Sequence, residues 1–247
     1  MVTADDPAQA GGKTYVLIHG TYFGGWCWKD VAGRLRALGH RVHTPTLTGL
    51  GERGHLISLD PSLETHVEDI ARMLRYEDLE DVVLVGHSFA GVVVSALADR
   101  MPERFRHLVY LDAQLLLSGE SPASIAPPST MERYRRTAYE TEGVMVVPPP
   151  SPAAIGATDE RMADWLKQKL TPQPFGTYTD SIELAHPLGN GLPATYVACT
   201  DPPFPNVARA HERAREIEGW TYVELPTGHN AMLLMPQEVT DLLAGVG

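Results

Sequence analysis

One stretch of sequence decides the fold of this chain, Val82-Val83-Leu84-Val85-Gly86-His87-Ser88-Phe89-Ala90-Gly91. Its apolar, β-branched first half stops at Gly86, as a buried strand does. Apolar residues then recur at helical spacing, at Ala90, Val93, Val94, Leu97 and Met101. This pattern predicts a strand, a sharp turn and a helix, with Ser88 at the apex of the turn. Small residues on both sides would hold the serine in a strained backbone conformation, which is typical of a nucleophile.

The turn departs in one position from the usual pattern of such nucleophiles, G-x-S-x-G. Ala90 stands where the second glycine is expected. Alanine adds a single methyl group, so we expect a tighter turn rather than a disrupted one. The alternative is a buried strand followed by a helix that the serine merely caps. The nucleophile hypothesis therefore requires a base, an acid and an oxyanion site elsewhere in the chain.

The composition suits one α/β domain with a sizeable core, because 43% of the 247 residues are hydrophobic. The formal net charge of −11 argues against a nucleic-acid partner, which needs clustered lysine and arginine. The basic residues are instead scattered among acids. The run Arg209-Ala210-His211-Glu212-Arg213 is an example, and it is typical of a solvated helix face.

The chain carries no pattern that points to export or to a membrane. Residues 1–12 are small, polar and acidic, so we expect a flexible lead-in rather than a signal peptide. The longest uncharged run, residues 82–98, changes its period in the middle and is short for a membrane span. Cys27 and Cys199 are expected to be buried apolar residues and not a disulfide. We therefore expect a cytoplasmic protein without a membrane partner.

Short apolar runs alternate with helical patterns along most of the chain. This alternation predicts an α/β fold, with a mostly parallel sheet and helices on both faces, built from residues 13–113 and 194–247. Between 114 and 193 the alternation fails, and prolines are frequent. Helical patterns at 131–140 and 159–170 remain there. We expect this segment to form an inserted helical cap over the C-terminal edge of the sheet.

A serine needs a neighbouring base to become a nucleophile, and His229 is the best placed of ten histidines. It stands in a loop after the last predicted strand, where the carboxyl ends of parallel strands converge on a binding crevice. An acid should orient this histidine. Asp201 and Asp112 each follow a predicted strand, and either could reach the histidine. Asp201 is favoured as the acid. Asp112 would then cap a loop or a helix.

A tetrahedral intermediate needs two backbone N–H donors. The residue after the nucleophile, Phe89, supplies one, and Thr21 supplies the other because Gly20 lets the chain turn back towards the serine. His19 and His87 are expected to be structural residues, with His87 in reach of the pocket. No spacing of histidine, cysteine or carboxylates suits a metal, so no metal or cofactor is expected.

Together these motifs resemble those of the α/β-hydrolase superfamily. The resemblance rests on residues 16–20, residues 24–28, the Ser88 turn and Gly228-His229. It is closest to the branch that holds plant methylesterases, hydroxynitrile lyases and their bacterial esterase relatives. It covers nearly the whole chain and weakens in the cap. The resemblance implies the α/β-hydrolase fold with an inserted cap.

The resemblance also implies roles for single residues. In this branch the acid lies about where Asp201 stands, and the oxyanion donors fall on Thr21 and Phe89. The hydroxynitrile lyases that it resembles carry a threonine after the first-strand histidine and a lysine after the catalytic histidine. This chain has Gly20 and Asn230 at those positions. The missing lysine disfavours cyanohydrin cleavage and leaves ester hydrolysis as the expected reaction.

We therefore expect a serine carboxylesterase that acts on a small-to-medium apolar or aryl ester through an acyl-enzyme on Ser88. Aromatic residues of the cap and of the first turn, with one histidine, are candidates for the substrate pocket. These candidates are Tyr22, Phe23, Trp26, Tyr134, Trp165, Tyr178 and His186.

Two other classes of function fit the same residues. The triad can also serve a lyase, a carbon–carbon hydrolase or a polyketide-type cyclase, because an oxyanion hole stabilises enolates too. A non-catalytic receptor for a small molecule can keep the triad on the same scaffold. Turnover of simple aryl esters favours the esterase, whereas tight retention of a ligand without product favours the receptor.

Overall fold

The computed structural model describes residues 11–247, so most of the expected lead-in lies outside the described residues. Its centre is a six-stranded sheet in which every neighbouring pair is parallel. The strands are β1 (Thr14–Ile18), β2 (Arg41–His43), β3 (Val82–His87), β4 (Phe105–Leu111), β8 (Ala194–Cys199) and β9 (Thr221–Leu225). They lie in the order β2-β1-β3-β4-β8-β9. The predicted α/β fold with a mostly parallel sheet is confirmed.

Helices cover both faces of this sheet. The helices of the α/β layers are α1 (Lys29–Ala37), α2 (Leu63–Tyr76), α3 (Ala90–Arg100), α8 (Ala208–Glu216), α9 (Ala231–Leu234) and α10 (Pro236–Gly245). In β1, Tyr15 and Leu17 pack in the cluster that contains α1 and α10, whereas Val16 and Ile18 pack in the cluster that contains α2, α3 and α8. Because successive strand residues point to opposite faces, a strand buried on both faces appears as a continuous apolar run.

The inserted segment contains more than the predicted helices. It holds four helices, α4 (Pro122–Ile125), α5 (Pro128–Thr137), α6 (Glu160–Lys169) and α7 (Gly176–Thr179). A small antiparallel sheet accompanies them, in the order β5-β6-β7, with β5 (Tyr139–Thr141), β6 (Val144–Val147) and β7 (Gln173–Pro174). The predicted helical cap is therefore present, and a small sheet that was not predicted accompanies it. Strands of two to four residues are too short for alternation to reveal them, and the proline lies on an edge strand, where it is tolerated.

Three further features of residues 11–247 concern the two cysteines, the start of α2 and the apolar character of the helices. Cys27 and Cys199 are free and buried. Ser62 begins α2 as its N-cap, where its hydroxyl accepts a hydrogen bond from the N–H of Thr65. Within residues 11–247 no helix combines the length and apolar character that a membrane crossing requires.

Candidate active site

Ser88 stands at the apex of the turn between β3 and α3. Its φ of 56° is in the left-handed region, which is strained for a residue other than glycine. The close approach of the strand and the helix requires Gly86, because a Cβ there would lie 2.6 Å from Val94 Cγ2 and 2.8 Å from the Ala90 carbonyl oxygen. Ala90 itself is fully buried in the turn. The turn thus keeps the predicted geometry with alanine in place of the second glycine.

His229 lies in the loop between β9 and α9, and it links the serine to a carboxylate. Its Nε2 atom is 2.9 Å from Ser88 Oγ, and its Nδ1 atom is 2.6 Å from Asp112 Oδ2. Asp112 follows the last residue of β4, next to the strand that carries Ser88. The Asp112 N–H donates a hydrogen bond to the Val197 carbonyl in the neighbouring strand β8. The sheet therefore brings a serine, a histidine and an aspartate into one hydrogen-bonded chain.

The prediction that Asp201 is the acid beside His229 is wrong in this structure. Asp201 is exposed, and its backbone N–H donates to the Thr227 carbonyl at 3.0 Å. Just before it, Thr200 forms a bridge with Pro203, and the Nδ1 atom of His229 bonds to Asp112 and not to Asp201. Asp112, the alternative candidate for the acid, is fully buried and bonds to His229.

The carboxylate of Asp112 is held by two histidines. In addition to the bond from His229, it accepts hydrogen bonds at Oδ1 from His211 Nε2 at 2.7 Å and from the Cys199 N–H at 3.0 Å. Burial by itself raises the pKa of Asp112, but the hydrogen bonds from His211 and His229 outweigh it and lower the pKa to about 2. Asp112 is therefore an anion at neutral pH, ready to stabilise a protonated His229.

The sequence did not predict a role for His211 in the site, because this residue lies in a charged helical run that is typical of a solvated face. In α8 its side chain is only 12% exposed and points inward, with its ring edge against Tyr196. Ala210 and Ala214 of the same helix are buried. The one signal in the sequence was the pair of alanines four residues apart, Ala210 and Ala214, which marks the inner face of α8.

The two other histidines near the site have structural roles, as expected. His19 is fully buried, accepts the Leu47 N–H at Nε2 and so donates from Nδ1 to the Gly20 carbonyl. Burial lowers its pKa to about 4. His87 donates from Nε2 to the His229 carbonyl at 2.9 Å, and burial lowers its pKa to about 3. Both rings are neutral at neutral pH, and His87 supports the loop that carries the proposed base.

The turn after β1 lies directly against the serine. A Cβ on Gly20 would be 2.8 Å from Ser88 Cβ, and Thr21 and Phe89 line the same cavity as Ser88 and His229. Within residues 11–247, the N–H groups of Thr21 and Phe89 donate no hydrogen bond to a protein atom. Two free backbone donors beside a serine hydroxyl are what an oxyanion site needs.

The residues that line the cavity at Ser88 are partly those that the sequence predicted. Four of the seven candidate residues line it, namely Tyr22, Phe23, Tyr134 and Tyr178. The other three lie elsewhere. Trp26 and Trp165 pack edge to face with ring centroids 5.0 Å apart, and His186 pairs with Asp99 at 2.9 Å. Aromatic content alone did not distinguish residues that pack against each other from residues that face the cavity.

Several residues of the cavity wall were not predicted, and they come from the cap, from the loop after β8 and from the loop of His229. They include Gln114, Arg133, Ile155, Phe204, Asn206 and Asn230. The ring of Phe204 stacks on His229 with centroids 4.0 Å apart. The Asn230 Nδ2 group donates to the Ile155 carbonyl at 2.6 Å and so ties the cap to the loop of His229. Across the described residues, no group of three histidine, cysteine or acidic side chains could hold a metal ion.

Comparison with known proteins shows the family of this chain. Residues 15–242 match the model of the alpha/beta hydrolase family. The chain belongs to that family. A carbendazim hydrolyzing esterase of Nocardioides sp. (strain SG-4G) is 35% identical over 244 residues, which cover 94% of this chain and 99% of the relative. A pyrethroid hydrolase of Sphingobium wenxiniae is 28% identical and covers 93% of this chain and 85% of its own.

A solved structure of an extracellular alpha/beta-hydrolase from a Paenibacillus species superposes on this hydrolase with a TM-score of 0.82. It is 23% identical and covers 95% of this chain and 99% of its own, so it supports the fold. Arabidopsis thaliana methylesterase 1 is 34% identical over 113 residues, 45% of this chain and 43% of the relative. The expected resemblance to plant methylesterases and bacterial esterases is confirmed, and the hydrolase is an ester hydrolase of the family.

Gly20 offers a test of the contact between the first turn and the serine in this hydrolase. We expect Gly20→Ala to reduce kcat on an aryl ester at least about tenfold, because the new methyl group would displace Ser88 or the turn that carries Thr21. The measurement is kcat together with the melting temperature. Gly33→Ala is the matched control, since a Cβ at Gly33 meets nothing within 4 Å and alanine favours the helix. Equal activity of the two variants would contradict the proposed close approach.

Proposed function

We propose that this hydrolase is a serine carboxylesterase in which Ser88 is the nucleophile, His229 the base and Asp112 the orienting acid. The observation that carries the proposal is the continuous hydrogen-bonded chain from Ser88 Oγ through both nitrogens of His229 to a buried carboxylate. A serine hydroxyl is a weak nucleophile unless a positioned base takes its proton. The chain of contacts supplies that base and fixes which ring nitrogen carries its proton.

The acylation half of the reaction follows from this geometry. His229 Nε2 takes the proton of Ser88 while Oγ forms a bond to the acyl carbon, and the carbonyl electron pair moves onto oxygen. The N–H groups of Thr21 and Phe89 hold this oxyanion. When the intermediate collapses, the bond to the alkoxy oxygen breaks, and the proton on His229 passes to the leaving alcohol. Asp112 stabilises the imidazolium between the two transfers.

Deacylation repeats the same steps with water in place of the serine. His229 takes a proton from water, the hydroxyl oxygen bonds to the acyl carbon, and the tetrahedral oxyanion is held by the same two N–H groups. The bond to Ser88 Oγ then breaks, and His229 returns the proton to the serine. The products are the carboxylic acid and the free enzyme. Only Ser88 and His229 change their protonation state in the cycle, while Asp112 stays an anion and the two N–H donors keep their protons.

We further propose a small-to-medium apolar or aryl ester as the substrate. The aromatic side chains of Tyr22, Phe23 and Phe204 line the cavity, which favours an apolar group. The cavity measures only about 80 Å³. This volume favours a compact substrate. The names of the two bacterial relatives support hydrolysis as the class of reaction. A cytoplasmic location stays a proposal that rests on composition alone.

The proposed acyl-enzyme can be observed directly. We expect a burst of p-nitrophenol when the hydrolase is mixed with excess p-nitrophenyl butyrate, followed by slower steady turnover. Intact-mass spectrometry of the acid-quenched protein should show one added butyryl group, and peptide mapping should locate it at Ser88. Because the acyl-enzyme accumulates only where deacylation is the slower step, a burst without an acyl adduct in the quenched protein would contradict covalent catalysis. An adduct at a different residue would contradict the assignment of the nucleophile.

A further inference from the structure

The side chain of Asn230 is buried beside the proposed base and faces the cavity of Ser88. It is 1% exposed and follows His229 directly in the chain. Its Nδ2 group donates to the Ile155 carbonyl at 2.6 Å, and this bond fixes which end of the amide is which. The other end, Oδ1, is buried and accepts no hydrogen bond from any residue between 11 and 247.

A second amide oxygen in the same cavity is in the same situation. Gln114 lines the cavity, and its buried Oε1 atom has no partner among the described residues. The backbone N–H of Gln114 donates to the Ser88 carbonyl at 2.9 Å, which places Gln114 next to the nucleophile. Two amide side chains of the cavity wall therefore carry a buried acceptor without a partner, in addition to the backbone donors of Thr21 and Phe89.

A buried acceptor without a partner destabilises the protein, so its presence requires a physical reason. The hydrogen bond to the Ile155 carbonyl explains why the Nδ2 donor is buried. It does not explain why the Oδ1 acceptor is buried, because a side chain that only tethers the cap needs no acceptor. Phe204 and Ile155, which line the same cavity, carry no side-chain donor for Oδ1. The group that suits Oδ1 is therefore an N–H or O–H donor that arrives with a ligand.

We propose that Asn230 Oδ1 accepts a hydrogen bond from an N–H or O–H group that the substrate carries close to its ester group. The site then selects esters with such a donor over esters that lack it. This inference rests on the proposed esterase function and adds a substrate class to it. A site built to bind a donor rejects an analogue without one, since its own buried acceptor is then left unpaired.

Two pairs of methyl esters test the proposal and separate the two sources of the donor. For O–H, methyl mandelate is compared with methyl phenylacetate. For N–H, the methyl ester of N-benzoylglycine is compared with that of N-benzoylsarcosine. The measured quantity is the ratio of kcat/KM within each pair. We expect the wild type to prefer the donor-bearing member of at least one pair by about tenfold or more, and the pair that shows it identifies the donor.

Two variants then assign the preference to Oδ1 rather than to the tether. Asn230→Leu removes the acceptor and the tether, and the ratio should fall to within about twofold of one. Asn230→Asp loses the Nδ2 donor but keeps acceptor oxygens, and the ratio should stay high. A general loss of activity from a displaced cap or from the new charge cancels within each ratio.

A wild-type ratio near one for both pairs would overturn the inference, and so would a preference that survives in Asn230→Leu. Where the leucine variant does not fold, a wild-type ratio near one still overturns the inference, and Asn230→Ala replaces Asn230→Leu as the variant without the acceptor. Serine-dependent hydrolysis of methyl phenylacetate or of the N-benzoylsarcosine ester supports the esterase whatever the ratios are. A failure of the proposed selectivity is thereby distinguished from a failure of the proposed function.

Discussion

Replacing Asp112 with asparagine is expected to lower kcat on p-nitrophenyl butyrate by about 10⁴-fold, the size of the effect at the corresponding acid of other serine hydrolases. Asparagine has nearly the same shape, but it carries no charge to stabilise the protonated His229. Its amide also can donate to Nδ1, which selects the wrong tautomer and leaves Nε2 protonated towards Ser88. The decisive measurement is kcat at pH 8 with purified variants.

The matched control for this experiment is Asp201→Asn. Asp201 is exposed and is not hydrogen-bonded to His229, so we expect activity within about twofold of the wild type. Melting curves of both variants are needed, because Asp112 also accepts bonds from His211 and Cys199. A large loss of activity in Asp201→Asn with little loss in Asp112→Asn would reverse the assignment of the acid.

Ser88→Ala should leave a folded protein whose turnover of the same ester is at least about a hundredfold lower. The alanine variant keeps both oxyanion donors and the cavity, but it cannot form the acyl-enzyme. Any residual rate comes from water that His229 activates in the cavity. Steady-state assays over an extended time, with circular dichroism as the check on folding, measure this effect.

A serine on the neighbouring helix serves as the control for Ser88. Ser95 is buried, and its hydroxyl donates to the Gly91 carbonyl at 2.9 Å without facing the cavity. We expect Ser95→Ala to change the melting temperature more than kcat. If Ser88→Ala retained the activity of Ser95→Ala, Ser88 would not be the nucleophile, and the reaction would proceed through a different group.

Much of the fold was predictable because local patterns encode it. The continuous apolar runs of β1 and β3 follow from burial on both faces of a parallel sheet, and the Gly86-to-Gly91 turn requires small residues wherever a strand and a helix approach so closely. The same reasoning placed His229 in a loop at the carboxyl end of the sheet, where Ser88 also lies. The cap was located by its prolines, although its short strands escaped detection.

Sequence alone determined the strands, the strained turn at Ser88 and the loop that carries His229, since each depends on residues close together in the chain. Only the tertiary structure decided between Asp112 and Asp201. Asp112 and Asp201 each lie just after the end of a strand, and the two strands are neighbours in the sheet. The sequence pattern is therefore the same for both, and the path of the backbone after each strand decides which carboxylate reaches His229. The inward direction of His211 and the free oxygen of Asn230 likewise depend on contacts between distant segments, which no local pattern records.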